Sequence, residues 1–169
     1  YGVYGGVAYY GVFTNCLFYG NAARSYGGAV YSVTMHGCTV TGNVASLGGG
    51  VYSSTCYDCM IAGNESPGSG GGAYGGTLYN CTLTGNRSFR GGGVHVCTVY
   101  NSIMYHNTAT TGANHYGSSI NASCTAPLPP GSGNIDTAPG IAAIMNPRLT
   151  AGSPCIDAGV LQAWMTNAT

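Results

Sequence analysis

The chain has 169 residues, enough for one domain, and it is rich in glycine and tyrosine and lacks lysine. Charged residues make up only 5% and the formal net charge is zero. Nucleic-acid binding needs a positive surface, so we expect no nucleic-acid partner. Apolar runs are only a few residues long, against the roughly 20 that cross a bilayer, so we expect no membrane span.

Two turn markers recur along the chain in step. A Gly-Asn pair first occurs at Gly20-Asn21, and its asparagine returns at spacings of 22, 21, 22 and 21 residues. These asparagines are Asn21, Asn43, Asn64, Asn86 and Asn107. A Gly-Gly pair that starts at Gly5-Gly6 returns at the same four spacings. Two markers in one register indicate an internal repeat of 21–22 residues.

Between these markers, apolar positions alternate with polar or aromatic ones. Period-2 alternation is typical of strands, and glycine and asparagine at fixed offsets are typical of turns. One such unit cannot bury its apolar face alone, so successive units must stack. The sequence therefore predicts an all-β, right-handed parallel β-helix over residues 1–111. Residues 112–169, where the repeat dissolves into proline-rich sequence, are predicted to form a loop-rich C-terminal cap of the same domain.

The repeat places asparagines and cysteines in two vertical columns. The asparagine column is predicted to form an amide ladder at a tight corner. The cysteine column comprises Cys16, Cys38, Cys59 and Cys81. It falls at inward positions, so we expect buried free thiols, with a thiol cluster or a disulfide ladder as the alternative. Metal binding needs thiolates that converge on one point, and we therefore predict no metal and no cofactor.

Cys124 and Cys155 lie outside the repeat, in the C-terminal segment. That segment lacks a regular core, and a disulfide between these two cysteines would suit an oxidising, extracellular setting. They are candidates for a disulfide, with two free thiols as the alternative.

Aromatic side chains form two further columns at positions predicted to face outward. The first column comprises Tyr9, Tyr31, Tyr52, Tyr74 and His95, and the second comprises Tyr57, Tyr79 and Tyr100. Two explanations are open: the rings stabilise the sheet surface by stacking on each other, or they contact sugar rings or a neighbouring protein chain.

The acidic residues are too few and too scattered for a predicted catalytic pair. They are Asp58, Glu65, Asp136 and Asp157, and no two share a column. Glycoside hydrolysis requires two carboxylates that flank one bond, so we predict no enzyme. Glu65 aligns with Arg87 one repeat later, which predicts a surface ion pair.

The sequence resembles bacterial right-handed parallel β-helix repeat proteins, including cell-surface proteins whose C-terminal part carries a choice-of-anchor domain. The stretches that carry the resemblance are GGGVYSSTCYDCMIAGN, GGGAYGGTLYNCTLTGN, SCTAPLPPGSGNI and RLTAGSPCIDAGV. The glycine-rich repeats also resemble those of polymorphic outer-membrane adhesins, although without a regular Phe-x-x-Asn. The resemblance implies an exported, surface-exposed bacterial protein.

Three interpretations of function follow. The first is a non-catalytic extracellular structural protein, either a surface adhesin or a filament subunit that associates head-to-tail, because the first repeat has no polar cap. Glycans or other surface proteins are its further candidate partners. The second is a polysaccharide-binding or polysaccharide-cleaving β-helix protein. The third is a piece of a larger exported protein.

Overall fold

Parallel strands build the molecule. The computed structural model describes residues 2–144 and 147–159, and the described part is all-β, with no helix and about six coils. Each coil carries three faces, called A, B and C in chain order. The coils are residues 2–19, 22–41, 44–62, 65–84, 87–105 and 108–125. The predicted parallel β-helix is confirmed.

The strands of each face follow one another up the solenoid. Face A consists of β1 (Gly2–Tyr4), β5 (Ala23–Tyr26), β11 (Glu65–Ser69), β14 (Arg87–Arg90) and β18 (Thr108–Thr111). Face B consists of β2 (Ala8–Tyr9), β3 (Val12–Thr14), β6 (Val30–Tyr31), β7 (Thr34–His36), β9 (Val51–Tyr57), β12 (Ala73–Tyr79), β15 (Val94–His95), β16 (Thr98–Tyr100), β19 (His115–Tyr116) and β20 (Ser119–Asn121). Face C consists of β4 (Leu17–Tyr19), β8 (Thr39–Thr41), β10 (Met60–Ala62), β13 (Thr82–Thr84), β17 (Ile103–Tyr105) and β21 (Cys124–Thr125).

The register between coils follows the sequence repeat. Ile61 pairs with Val40 below it and with Leu83 above it, as the columns predict. In coil 3, face A is held by single bridges, such as Val44 to Glu65, instead of a full strand. Inward side chains of successive coils are fully buried against each other, so burial of these stacked columns supplies the hydrophobic stabilisation.

A column of glycines lets the coils approach at the corner between faces A and B. The second glycine of each marker pair occupies this column: Gly6, Gly28, Gly49, Gly71 and Gly92. A Cβ on Gly71 would lie 2.5 Å from the carbonyl oxygens of Arg87 and Gly92, one coil further on. Backbone therefore fills the space that any side chain would need.

Parallel pairing continues past the predicted end of the repeats at residue 111. The sixth coil runs to Thr125, with β18, β19, β20 and β21 all paired to coil 5. The markers change here: Gly112-Ala113 replaces the Gly-Gly pair, and Asn114 accepts the last ladder hydrogen bond, only seven residues after Asn107. Strand pairing tolerates these replacements because it uses backbone groups.

Past Thr125 the described C-terminal segment is loop-rich and covers the edge of coil 6, as predicted for a cap, whereas residues 112–125, also predicted to belong to the cap, form part of coil 6. Ala122 N donates to Ser132 O at 2.8 Å, and Thr125 N donates to Ile135 O at 2.9 Å. Further along, Ile144 lies against Gly85 on face C. Residues 145–146 and 160–169 of the predicted cap lie outside the described residues.

Candidate functional site

The first aromatic column forms a continuous stack on face B. Neighbouring rings from Tyr9 through Tyr31 and Tyr52 to Tyr74 have centroid separations of 5.1, 5.1 and 5.2 Å and interplanar angles of 22°, 9° and 2°. His95 follows edge-on at 5.1 Å. Parallel in-register strands place identical side chains one coil apart, so the rings overlap face to face.

The second aromatic column is stacked in the same way, and His36 extends it. The centroid separations from His36 through Tyr57 and Tyr79 to Tyr100 are 4.8, 5.0 and 5.3 Å, with interplanar angles of 10° or less. Burial raises the pKa of Tyr52 and Tyr79, which keeps their hydroxyls neutral. Ring faces within both columns cover each other, so contact with another molecule would use ring edges and hydroxyls.

The predicted amide ladder is continuous through five coils. Asn43, Asn64 and Asn86 each donate from Nδ2 to Oδ1 of the next asparagine, at 2.9, 3.0 and 2.9 Å. Each of those Oδ1 atoms also accepts the backbone N–H of the preceding asparagine. The same Nδ2 of Asn86 donates to the Ile61 carbonyl at 2.8 Å. This column is occupied by internal contacts and is unavailable to a ligand.

The cysteine column lies in the core apart from its first member. Cys38, Cys59 and Cys81 are buried free thiols, while Cys16 in coil 1 is partly exposed. The Cys59 thiol donates to the Tyr57 carbonyl at 3.2 Å, and the neighbouring thiols of Cys56 and Cys81 lower the pKa of Cys59. The repeat register did not predict that Cys56 lies near Cys59 and Cys81, because Cys56 belongs to a different column. Within the described residues, no group of three or more His, Cys, Asp or Glu side chains has the geometry to hold a metal.

Cys124 and Cys155 come together where the C-terminal segment returns to coil 6. Both are free thiols in this structure, and both line one cavity of about 80 Å³. The Cys124 thiol donates to the Thr137 carbonyl at 3.3 Å, and burial, with a smaller contribution from Cys155, raises the pKa of Cys124 to about 12. The two thiols therefore share one cavity, and no disulfide joins them.

Oxidised glutathione is expected to form one disulfide, between Cys124 and Cys155, and to stabilise the protein. A closed loop of this length contributes about 3–4 kcal/mol, mainly by restricting the unfolded chain. Peptide mapping of the oxidised protein and urea unfolding with and without reductant measure the bond and its effect. Cys155→Ser should abolish both. Mapping of a bridge to any core cysteine would contradict the prediction.

The acidic residues occupy separate places. Asp58 lies at a corner with φ of +55°, and its carboxylate accepts a hydrogen bond from Asn80 at 3.0 Å. Glu65 and Arg87 face each other in the ladder as predicted, but no ion pair joins these two described residues. The ion-pair prediction is wrong because register fixes only the backbone, while both long side chains extend into solvent.

Face A carries a groove that sequence reasoning missed. Its walls are the exposed residues on either side of the buried strand residues Ser66 and Ser88. The groove is lined by Glu65, Ser66, Pro67, Arg87, Ser88, Phe89, Thr108, Ala109 and Thr110. We call it the arginine groove. The one signal in the sequence that could have indicated this groove is that most of the charged residues of the repeats fall on the same face.

Coil 1 exposes several large apolar side chains. Val12, Leu17 and Tyr19 are 70%, 67% and 71% exposed. Their counterparts one coil on, Thr34 and Thr39 among them, are only partly exposed, since each is covered by the coil below. Neighbouring exposed apolar side chains of this kind are typical of a surface that contacts another molecule.

The fold and the outward columns define a β-solenoid repeat protein. The family described as Chlamydia polymorphic membrane protein (Chlamydia_PMP) repeat matches residues 15–33. That segment includes Phe18 and Asn21, at the Phe-x-x-Asn spacing. Phe18 is a core position and Asn21 begins the ladder; later coils keep the spacing with Val, Ile, Leu or Met in place of Phe.

The comparisons with curated proteins and with solved structures gave no significant match. The repeat match and the β-solenoid fit a surface-exposed, adhesin-like bacterial protein and a cell-surface location. None of the described residues forms a helix with the length and hydrophobicity needed to cross a membrane.

Proposed function

We propose that the protein is a non-catalytic adhesive module on the outside of the bacterial cell. The observation that carries the proposal is the pair of aromatic columns, which present phenol edges and hydroxyls along a rigid face with little charge. Tyrosine contributes large contact area with few rotatable bonds, and it is enriched where proteins bind each other. The C-terminal resemblance adds the finer proposal that the chain's last part is of the choice-of-anchor type.

Beads coated with the protein are expected to adhere to cultured epithelial cells and extracellular matrix more than beads coated with albumin. The triple substitution Tyr31→Thr, Tyr52→Thr and Tyr74→Thr should lower bead adhesion about tenfold, because it removes the phenol edges while keeping β-compatible residues. The matched control replaces Thr34, Thr55 and Thr77 on the same face with serine. Circular dichroism verifies that both variants remain folded.

Adhesion no higher than that of the albumin beads would overturn the proposed function. Full adhesion by the triple tyrosine variant would show that the aromatic columns are not the contact surface.

Self-association is the second candidate, favoured by the exposed apolar side chains of coil 1. A head-to-tail contact would have to use the outer side of the cap, because Ser132 and Ile135 already pair with coil 6. Sedimentation over a range of concentrations and electron microscopy test it. If the wild type forms polymers and Leu17→Arg does not, the result would support a filament subunit. A wild-type protein that stays monomeric at every concentration would contradict self-association.

A further inference from the structure

We propose that the arginine groove on face A binds an acidic polysaccharide, a chain of uronate or sulfated sugars, and that Phe89 in one wall of the groove packs against a sugar ring. The proposal rests on the adhesive function proposed above and names a ligand class for it. It concerns a different face from the aromatic columns, so the two can be tested separately.

Charge is concentrated on this face. The chain has only four arginines and no lysine, and Arg24, Arg87 and Arg90 all lie exposed on face A. Glu65 is the face's only acidic residue among those described, and it forms no ion pair with Arg87. In a protein with zero net charge, this face is locally positive, and the guanidinium groups are free to bind carboxylate or sulfate in a bidentate way.

The groove has the shape for an extended chain. Two adjoining depressions of about 300 and 250 Å³ share Arg87, Ser88 and Thr110 and run across coils 4, 5 and 6. Glu65, Arg87 and Thr108 form one wall, and the other wall is Pro67, Phe89 and Thr110. An open groove parallel to the solenoid axis admits a polymer without requiring that the chain end enter.

Phe89 supplies the apolar surface that a sugar ring needs. Its side chain is 50% exposed, and the Arg90 guanidinium lies 5.5 Å from its ring centroid on one side. The stacked tyrosines differ, because their ring faces are covered by the neighbouring coils. A sugar ring that packs its C–H face on Phe89 would place an acidic substituent within reach of Arg87 or Arg90, with Thr108 and Thr110 hydroxyls on the far side.

Other anionic partners fit the groove less well. Nucleic acid requires a larger basic footprint than three arginines opposed by a glutamate. Anionic lipid surfaces are recognised by clusters of about 4–8 basic residues. An acidic peptide could use the same arginines but has no need of the exposed phenyl ring, and it is tested directly below.

Binding of the whole chain to immobilised polygalacturonate, heparin, neutral dextran and poly-glutamate tests the proposal. We expect binding to polygalacturonate or heparin, whichever acidic group is preferred, and none to dextran. Arg87→Gln with Arg90→Gln should weaken the affinity about tenfold or more, as loss of charged hydrogen bonds does. Phe89→Ser should weaken it severalfold, and raising the salt from low to high concentration should weaken wild-type binding.

Arg148→Gln is the matched control. It removes the same charge from an exposed arginine of the C-terminal segment, and its binding should equal that of the wild type. Equal binding by the groove variants and the wild type would overturn the proposal, as would equal binding to poly-glutamate or dextran. If the coated beads still adhere to cells while no acidic polysaccharide binds, this inference fails and the adhesive function stands.

Discussion

Replacing Asn86 with alanine is expected to lower the free energy of unfolding by about 3–5 kcal/mol, although it touches no exposed surface. Asn86 is fully buried in the amide ladder. Its loss removes the acceptor of the Asn64 backbone N–H, one of the two acceptors of the Asn64 side-chain amide, and a donor to the Ile61 carbonyl. Each buried group deprived of a partner costs about 1–3 kcal/mol.

Asn80→Gly is the control for this prediction. Asn80 is half-exposed at a corner, has a φ of +52°, and donates one side-chain hydrogen bond to Asp58. Glycine keeps that backbone conformation without strain, so the change should cost less than about 1 kcal/mol. Urea unfolding, followed by circular dichroism, measures the free energy of unfolding of both variants. A loss for Asn86→Ala no larger than that of the control would show that the ladder contributes little.

The second large effect is expected for Gly71→Ala, a gain of one methyl group. The new Cβ would meet the carbonyl oxygens of Arg87 and Gly92 at 2.5 Å, and both are backbone atoms that cannot rotate away. The coils would have to separate at this corner and weaken the hydrogen bonds around it. We expect a loss of about 3 kcal/mol or more, comparable to severe overpacking.

Gly20→Ala separates this clash from backbone strain. Gly20 has a φ of +66°, and a Cβ there meets nothing within 4 Å. Gly20→Ala should therefore cost only the about 1–2 kcal/mol needed to hold a residue with a Cβ in the left-handed backbone conformation. In thermal unfolding, the midpoint temperature of Gly71→Ala should lie well below that of Gly20→Ala. The reverse order would mean that the coils can move apart at little cost.

Much of the candidate surface could be predicted from the sequence, because residues one repeat apart in a solenoid lie next to each other in adjacent coils. Once Asn64 and Asn86 are known to be one coil apart, their contact follows from strand spacing. The tyrosine columns follow for the same reason. Strand spacing did not predict ion pairing correctly. Glu65 and Arg87 are paired in the ladder, but the rotamers of long exposed side chains are not determined by the backbone register.

The coil, its register and its inward and outward columns could be predicted from the sequence, since they depend on local turn chemistry and alternation. Three other features depend on how distant parts of the chain pack together. The tertiary structure extended the solenoid through coil 6, where Asn114 takes over a ladder position at a different spacing. It returned the C-terminal segment to coil 6, where Cys155 lines the same cavity as Cys124. It also opened the groove around Phe89, because concavity arises from how neighbouring coils sit against each other and no single repeat encodes it.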